Sequence, residues 1–277
     1  MLQLRRLKAA ARRLARYRHV FTGRPLVFRT RRHVVKTVFR RVAARHLAHE
    51  VANTHRAKTW APFADAVVVQ DLVTPFMAVS QRRHTDSSRD ETVAAMVRFI
   101  ARHLAEAKDA RRATAHDLIR AHMANLRIVT SRRPELLARL QAVLESGFFD
   151  FTVPQTPMHG DFLPGNALLQ RDELVLVDWE YASEDGSVLY DVWFLRRSLR
   201  LHQAHTSFLL SQVRLLDDAL LTHVREFAMT LDQVDGFGNA MHAVVDFSRF
   251  DTRSDGDQVL TSSVLEVERL ARSSSAS

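Results

Sequence analysis

One stretch, from Pro157 to Asp191, constrains the fold of this chain more than any other feature of the sequence. It contains two short apolar runs, Ala167–Leu169 and Leu174–Val177, with four polar residues between them. Runs of this length on either side of a polar turn predict a β-hairpin. Because a hairpin returns the chain to its starting point, we expect the residues just outside its two strands to lie side by side.

Two candidate metal ligands flank this hairpin. Asn166 immediately precedes the first strand, and Asp178 immediately follows the second. Their side-chain oxygens suit Mg²⁺, which takes few protein ligands and retains phosphate oxygens and water. Asp161 lies five positions before Asn166, and Pro164 and Gly165 turn the loop between them. The spacing therefore predicts a metal pair beside a carboxylate that can accept a proton from an attacking hydroxyl.

The order of these pieces carries a family resemblance. HGDFLPGN, then LVDWEYA, then YDVWFL resembles the aminoglycoside phosphotransferase and choline kinase family. This resemblance implies an α+β, protein-kinase-like fold of two lobes, with a small β-sheet N-lobe and a mainly helical C-lobe. It also implies the cofactors ATP and Mg²⁺, and transfer of the γ-phosphate to a hydroxyl of an aminoglycoside-, choline- or sugar-like small molecule.

The resemblance also assigns roles to single residues. Asp161 matches the catalytic aspartate, Asn166 the metal-binding asparagine and Asp178 the metal-binding aspartate. Three further residues of the same stretch are expected to support the site: His159 by holding the loop, Asp191 by bracing it, and Glu180 within a Trp-Glu-Tyr continuation that is similar to choline kinases.

A lysine near the start of the chain fits the same scheme. Residues 25–39 alternate apolar and polar side chains and predict two strands, PLVFR and HVVKTVF, joined by a turn. Lys36 lies in the second strand and is one of only four lysines among forty basic residues. A compact ammonium at this place suits the α- and β-phosphates of a nucleotide.

A glutamate follows on the next predicted helix, over Val42–His55. Glu50 is the only acidic residue among the first sixty, and it lies fourteen positions after Lys36. The resemblance to kinases implies an ion pair between Glu50 and Lys36 that places the ammonium for nucleotide binding. The alternative is an exposed helix acid facing Arg45 or Arg56.

The chain departs from kinases in one respect. Only Gly23 precedes Lys36, and no G-x-G-x-x-G motif is present. Backbone amides of a glycine-rich loop approach phosphates closely, so here Lys36, the metal and a hinge near Met77–Gln81 are expected to hold the nucleotide. Strands at Val67–Val69 and Pro75–Val79 lead to this hinge. The missing loop leaves a non-catalytic, kinase-like nucleotide-binding protein as an alternative.

Charge is distributed unevenly along the chain. Residues 1–60 carry 17 Lys and Arg against one acid, a net +16, whereas residues 61–277 carry −7. A field of this sign favours anionic partners. Leu2–Arg18 predicts a basic helix, which either packs through its leucine stripe or lies on a membrane surface. A kinase of a phosphorylated or lipid-linked glycan at an anionic membrane surface, bound through residues 1–60, is therefore a second alternative. Nucleic acid is disfavoured as a partner, because no recognition motif accompanies the charge.

Composition sets the remaining expectations. The absence of cysteine excludes disulfides, thiolate zinc sites and cysteine nucleophiles. No apolar run approaches a membrane span or a secretory signal, so we expect a cytoplasmic protein, peripheral at a membrane in the second alternative. The expected domains are an N-lobe over 1–80 with the basic helix and nucleotide-binding sheet, a C-lobe over 81–272 with the catalytic loop, and a disordered tail over 273–277. The last four helices are predicted at Val188–Leu201, Thr206–Leu231, Gly238–Arg249 and Gln258–Arg272.

Overall fold

A computed structural model describes residues 25–30, 32–39, 41–81, 83, 87–125, 133–201, 207–248 and 254–275. The predicted basic helix over Leu2–Arg18 lies outside these ranges. The described chain forms an α+β structure in two parts, a small antiparallel sheet with one helix and a larger, mainly helical part. This is the expected fold class.

The small part is a four-stranded antiparallel sheet in the order β1-β2-β4-β3. Its strands are β1 Leu26–Arg29, β2 His33–Thr37, β3 Gln70–Thr74 and β4 Met77–Gln81. Helix α1, Arg41–Ala57, packs against β3 and β4. A separate small core of Val38, Ala44, Leu47, Val51 and Ala78 joins the helix to the sheet.

Two predictions for this sheet are wrong in position. Val67–Val69 is not a strand; Val67 makes only an isolated bridge to Leu176, and the third strand begins at Gln70. The apolar run is buried because it lies against the hairpin of the larger part. Met77–Gln81 is not a hinge, because β4 pairs with β2 on one side and with β3 on the other. Its backbone groups therefore bind neighbouring strands, and the chain leaves the sheet only after Gln81.

The large part contains seven helices in the portion of the chain that is described. They are α2 Arg89–Glu106, α3 Ala115–Asn125, α4 Pro134–Leu144, α5 Val188–Leu201, α6 Ser207–Glu226, α7 Leu231–Ser248 and α8 Ser254–Ser275. One continuous apolar core joins them. Helix α2 begins with a capping box, in which Ser88 and Glu91 bind each other's backbone N–H groups.

The boundary between α6 and α7 differs from the prediction. Helix α6 ends at Glu226 rather than at Leu231, and α7 starts at Leu231 rather than at Gly238. Thr230 and Gln233 form a reciprocal cap, with the Gln233 N–H donating to the Thr230 hydroxyl oxygen at 3.1 Å. Gly238 does not start the helix. It lies inside α7, and the position is a glycine because a Cβ there would come within 2.2 Å of the Trp193 ring.

The predicted disordered tail is wrong in part. Helix α8 continues through Ser275, and the Ser273 hydroxyl donates to the Arg269 carbonyl oxygen at 2.9 Å. The composition of this segment is small and polar and residues 272–274 are exposed, but the segment continues α8 directly after the buried Leu270 and Ala271. The helix therefore extends past its last buried residue, Ala271, where local composition predicts no structure.

Six short strands carry the loops of the site. They pair as β5 Arg112–Thr114 with β6 Thr152–Pro154, β7 Thr156–Met158 with β10 Ser183–Gly186, and β8 Ala167–Gln170 with β9 Glu173–Leu176. The predicted hairpin is thus β8–β9. Its turn residues Arg171 and Asp172 have φ of 50° and 64°, as a two-residue type I′ turn requires.

Candidate active site

Lys36 connects three separate elements at the boundary of the two parts. Its Nζ lies 2.6 Å from Glu50 Oε1 on α1 and 3.0 Å from Asp178 Oδ1 after β9. Glu50 is only 4% exposed and also accepts from the Gln70 side-chain amide at 2.7 Å. The expected ion pair is present, and the alternative of an exposed helix acid is wrong.

The charge of Lys36 is stabilised by these neighbours. Burial lowers the pKa of an ammonium, but the carboxylates of Glu50 and Asp178 outweigh burial and raise the pKa of Lys36 above its ordinary value. The side chain therefore remains a cation at every pH at which the protein is expected to work. A fixed cation at this place can bind phosphate oxygens.

Asn53 ties α1 to the segment that follows Asp178. Its side-chain amide donates to the carbonyl oxygens of Trp179 at 2.9 Å and Ala182 at 3.2 Å, and the residue is buried. We did not predict this residue from the sequence. The available signal was its spacing of three from Glu50 on the same helix, which places both side chains on one face.

The catalytic loop candidate brings Asp161 and Asn166 into contact. The Asn166 amide nitrogen donates to Asp161 Oδ2 at 2.8 Å and to the Asp161 carbonyl oxygen at 3.0 Å. The Val177 N–H donates to the Asn166 carbonyl oxygen at 2.9 Å, so Asn166 and Asp178 lie at the same end of the hairpin, as the pattern predicts. With its nitrogen bound to Asp161, the Asn166 side chain keeps Oδ1 as the atom that can bind a cation.

His159 is a buried and neutral support of this loop. Its Nδ1 accepts the Asp161 N–H at 3.2 Å, so Nε2 carries the proton and donates to the Val177 carbonyl oxygen at 3.0 Å. Burial lowers the pKa of His159 to about 4. The ring lies 4.5 Å from that of Trp179. These contacts join the loop to the end of β9 and leave no ring nitrogen for proton transfer.

Asp191 holds the start of the loop from the first turn of α5. Its carboxylate accepts the His159 N–H at 2.7 Å and the Gly160 N–H at 2.9 Å, and it is fully buried. Burial raises the pKa of Asp191 to about 7, although the two N–H groups act in the opposite direction. Gly160 has φ of 81°, and a Cβ there would lie 2.3 Å from the Tyr181 carbonyl oxygen. The loop therefore fits closely between α5 and the segment after Trp179.

The side chain of Glu180 contacts helix α1 instead of the other predicted site residues. Its Oε1 is 3.0 Å from Nδ1 of His46 on α1, and no hydrogen bond or ion pair joins it to Asp161, Asn166 or Asp178 among the described side chains. Its contact links α1 to the segment after β9, as the Asn53 contacts do.

The candidate site offers few ligands for a divalent cation. Across the described ranges, no group of three His, Cys, Asp or Glu side chains could hold a metal ion. The site offers one carboxylate, from Asp178, and one amide oxygen, from Asn166. So sparse a set of oxygen ligands fits Mg²⁺, which retains water and phosphate oxygens, and does not fit a metal that needs a full protein cage.

Comparison with known proteins identifies the family. The sequence model of the phosphotransferase enzyme family (APH) matches residues 4–227. The chain belongs to this family. No curated protein matches the sequence significantly. None of the helices in the described part of this phosphotransferase has the length and apolar character needed to cross a bilayer.

Solved structures share the fold of this phosphotransferase at low sequence identity. A putative fructosamine-3-kinase from Thermobifida fusca matches with a TM-score of 0.55 and 12% identity, over 90% of this chain and 96% of its own. Choline kinase LicA from Streptococcus pneumoniae gives 0.53 and 13%, over 90% and 91%. A thermostable mutant of the aminoglycoside phosphotransferase APH(4)-Ia gives 0.51 and 14%, over 91% and 92%. These similarities establish the fold.

Proposed function

We propose that this phosphotransferase is an ATP- and Mg²⁺-dependent kinase that transfers the γ-phosphate of ATP to a hydroxyl of a small molecule. The observation that carries the proposal is the position of Lys36. Its ammonium bridges the carboxylates of the buried Glu50 and the partly exposed Asp178. In protein kinases, a lysine paired with a glutamate beside a metal-binding aspartate and asparagine binds the phosphates of ATP, and this supports the proposal.

The nucleotide side of the site is assigned to three residues besides Lys36. Glu50 positions the lysine, whose charge neutralises the α- and β-phosphates. The carboxylate of Asp178 and the amide oxygen of Asn166 would hold Mg²⁺. The bound ion supplies charge compensation for the triphosphate.

The acceptor side is assigned to Asp161. Its carboxylate orients the acceptor hydroxyl and takes the proton as the hydroxyl oxygen bonds to the γ-phosphorus and the bond to the leaving ADP oxygen breaks. The Asn166 amide keeps the carboxylate in place through the contact at 2.8 Å. Positioning supplies much of the rate in such reactions, so the bracing of this loop by His159 and Asp191 belongs to the same assignment.

The proposal also covers Glu180, the two lobes and the location of the reaction. Glu180 orients α1 through His46 rather than binding substrate. Residues 1–80 serve as the nucleotide-binding lobe and residues 81–272 as the lobe with the catalytic loop. We place the reaction in the cytoplasm, where ATP is available.

The structurally similar proteins include choline, fructosamine and aminoglycoside kinases by name, which supports a small hydroxyl compound as acceptor.

The test is phosphate transfer from labelled ATP to a panel of hydroxyl acceptors. The panel contains choline, an aminoglycoside, a fructosamine and simple sugars, each with and without Mg²⁺. We expect ADP formation that depends on one acceptor class and on the metal, and that Asp161→Asn slows by about 10²–10⁴-fold. Nucleotide binding without transfer to any acceptor would instead favour the non-catalytic alternative.

A further inference from the structure

Four large apolar side chains are exposed together at one end of the sheet. They are Phe39, Leu72, Val73 and Phe76, with exposed fractions of 58%, 43%, 58% and 41%. We call them the hairpin patch, because three of them belong to the β3–β4 hairpin. Proteins seldom expose several large apolar side chains side by side unless that surface binds something.

Two hydrogen bonds join the segment before Phe39 to the turn of the β3–β4 hairpin. The Phe76 carbonyl oxygen accepts from the Val38 N–H at 2.9 Å and from the Thr37 hydroxyl at 3.0 Å. Phe39 is the next residue along the chain, so it follows directly from a segment that is bound to the turn. Leu72, Val73 and Phe76 line one groove, and Phe39 follows the segment that is bound to their turn.

Helix α1 provides a basic edge to this surface. A groove of about 610 Å³ separates the first half of α1 from the hairpin, and Arg41 and Arg45 line it together with Leu72, Val73 and Phe76. No acidic side chain of the described chain forms an ion pair with either arginine. Apolar side chains beside cationic ones suit an anionic, amphipathic partner.

The sequence that precedes the sheet carries the same sign of charge. Leu26 pairs with Thr37, so β1 begins at the end of the sheet that carries Phe39 and Phe76. Residues 1–24 contain eight Lys and Arg and no acid. Like charge disfavours this segment as the occupant of a groove lined by Arg41 and Arg45. Both elements instead favour the same anionic partner.

We propose that the hairpin patch docks this phosphotransferase on an anionic lipid surface. The apolar side chains enter the boundary between headgroups and acyl chains, while Arg41 and Arg45 bind lipid phosphates. Residues 1–24 add to the attraction through their charge. The proposal concerns a surface outside the catalytic site and does not depend on the reaction assigned above.

The first test is sedimentation of the full chain with vesicles of 30% phosphatidylglycerol in phosphatidylcholine and with vesicles of phosphatidylcholine alone. We expect binding to the anionic vesicles that weakens as salt is raised, because salt screens surface charge. Each basic residue near an anionic surface contributes about a fivefold gain in binding. Arg41→Glu with Arg45→Glu should therefore weaken binding by at least about thirtyfold, whereas Arg41→Lys with Arg45→Lys should retain it.

Apolar variants of the hairpin patch give a second test, and matched variants on the large part are their controls. Phe39→Ser with Val73→Ser should weaken vesicle binding by at least about tenfold, because less apolar area is removed from water. Leu201→Ser with Leu215→Ser changes two side chains that are 74% and 53% exposed elsewhere and should have no effect. Arg214→Glu with Arg225→Glu on α6 is the control for charge.

A second measurement reports contact directly. Because the chain has no cysteine, Val73→Cys provides a single thiol for an environment-sensitive fluorophore, and Leu215→Cys provides its control. We expect a blue shift on adding anionic vesicles for the label at 73 only.

Several results would overturn the proposal. One is failure of the wild type to bind the anionic vesicles, and another is equal binding to the neutral ones. Wild-type binding by both patch variants would assign membrane attraction to residues 1–24 alone. A label at 73 that is blue-shifted before any vesicle is added would show that the chain itself, or a second copy, covers the patch.

Discussion

The Lys36 ammonium donates to Asp178 Oδ1 at 3.0 Å, although 142 positions separate the two residues. Lys36 belongs to the small sheet, and Asp178 follows the β8–β9 hairpin of the large part. This contact, with the Glu50 ion pair beside it, joins the two parts at the proposed nucleotide site.

Replacing Lys36 with methionine should impair both stability and activity. The buried Glu50 would lose its cation, and removal of one partner from a buried ion pair costs roughly 3–5 kcal/mol in the free energy of unfolding. Urea denaturation measures this cost. The double variant Lys36→Met, Glu50→Gln should recover much of the stability but none of the phosphate transfer. Recovery of transfer would contradict the role of Lys36.

Asp161→Asn should separate chemistry from nucleotide binding. The amide keeps the shape of the side chain but cannot accept a proton from the acceptor, so we expect turnover to fall by about 10²–10⁴-fold. Affinity for the nucleotide should change little, because Asp161 is not assigned to it. Steady-state rates and calorimetry measure the two quantities. Turnover within tenfold of the wild type would exclude Asp161 as the base.

Asp191→Asn should loosen the catalytic loop. Both carboxylate oxygens accept backbone N–H groups, from His159 and Gly160, and an amide offers only one acceptor. Its NH₂ group would face a backbone donor, at a cost of about 1–3 kcal/mol in the free energy of unfolding. Asp218→Asn, on the exposed face of α6, is the control. Equal stability of the two variants would show that the bracing contacts contribute nothing.

Gly160→Ala should be much more damaging than Gly165→Ala. At Gly160, with φ of 81°, a Cβ would meet the Tyr181 carbonyl oxygen at 2.3 Å, whereas at Gly165 it would meet nothing within 4 Å. We expect loss of transfer and a lower melting temperature for the first variant and near wild-type behaviour for the second. Similar melting temperatures would contradict the close packing of the loop.

His122→Leu should reduce the loss of stability in acid. Burial lowers the pKa of His122 to about 4 from its ordinary value of 6.5, so between these values the unfolded chain binds more protons than the folded one. The stability due to the neutral ring is therefore present above about pH 6.5 and is lost as the pH falls towards 4. Its Nε2 has no hydrogen-bond partner in the described chain.

The measurement for His122 is urea denaturation of both proteins at pH 5 and pH 7. We expect the difference in the free energy of unfolding between the two pH values to shrink by about 1–2 kcal/mol in the variant. An unchanged difference would mean that this ring does not contribute to the acid sensitivity.

The sequence predicts the placement of Asn166 and Asp178 at one end of a hairpin because the signals for a hairpin are local. Asn166 and Asp178 flank two apolar runs with a polar turn, and hairpin geometry then brings them together. The pairing of Lys36 with Glu50 depends on tertiary structure, and the resemblance to kinases supplied it. Asn53 was missed because an asparagine inside a helix carries no sign that it binds carbonyl oxygens far along the chain.

The errors have physical causes as well. Val67–Val69 resembles a strand in composition, but its burial comes from contact with the large part. Gly238 resembles a helix boundary, yet it is a glycine because Trp193 occupies the space of a side chain. In both places tertiary packing explains the residue type, and local pattern cannot reveal it.

The most direct test of the nucleotide site is calorimetric titration with a non-hydrolysable ATP analogue, with and without Mg²⁺. It compares the wild type with Asp178→Ala and with Asp218→Ala as control. We predict metal-dependent binding at micromolar concentrations for the wild type and the control, and its loss in Asp178→Ala. Absence of binding by folded wild-type protein, or equal binding by Asp178→Ala, would contradict the assignment of this site to ATP.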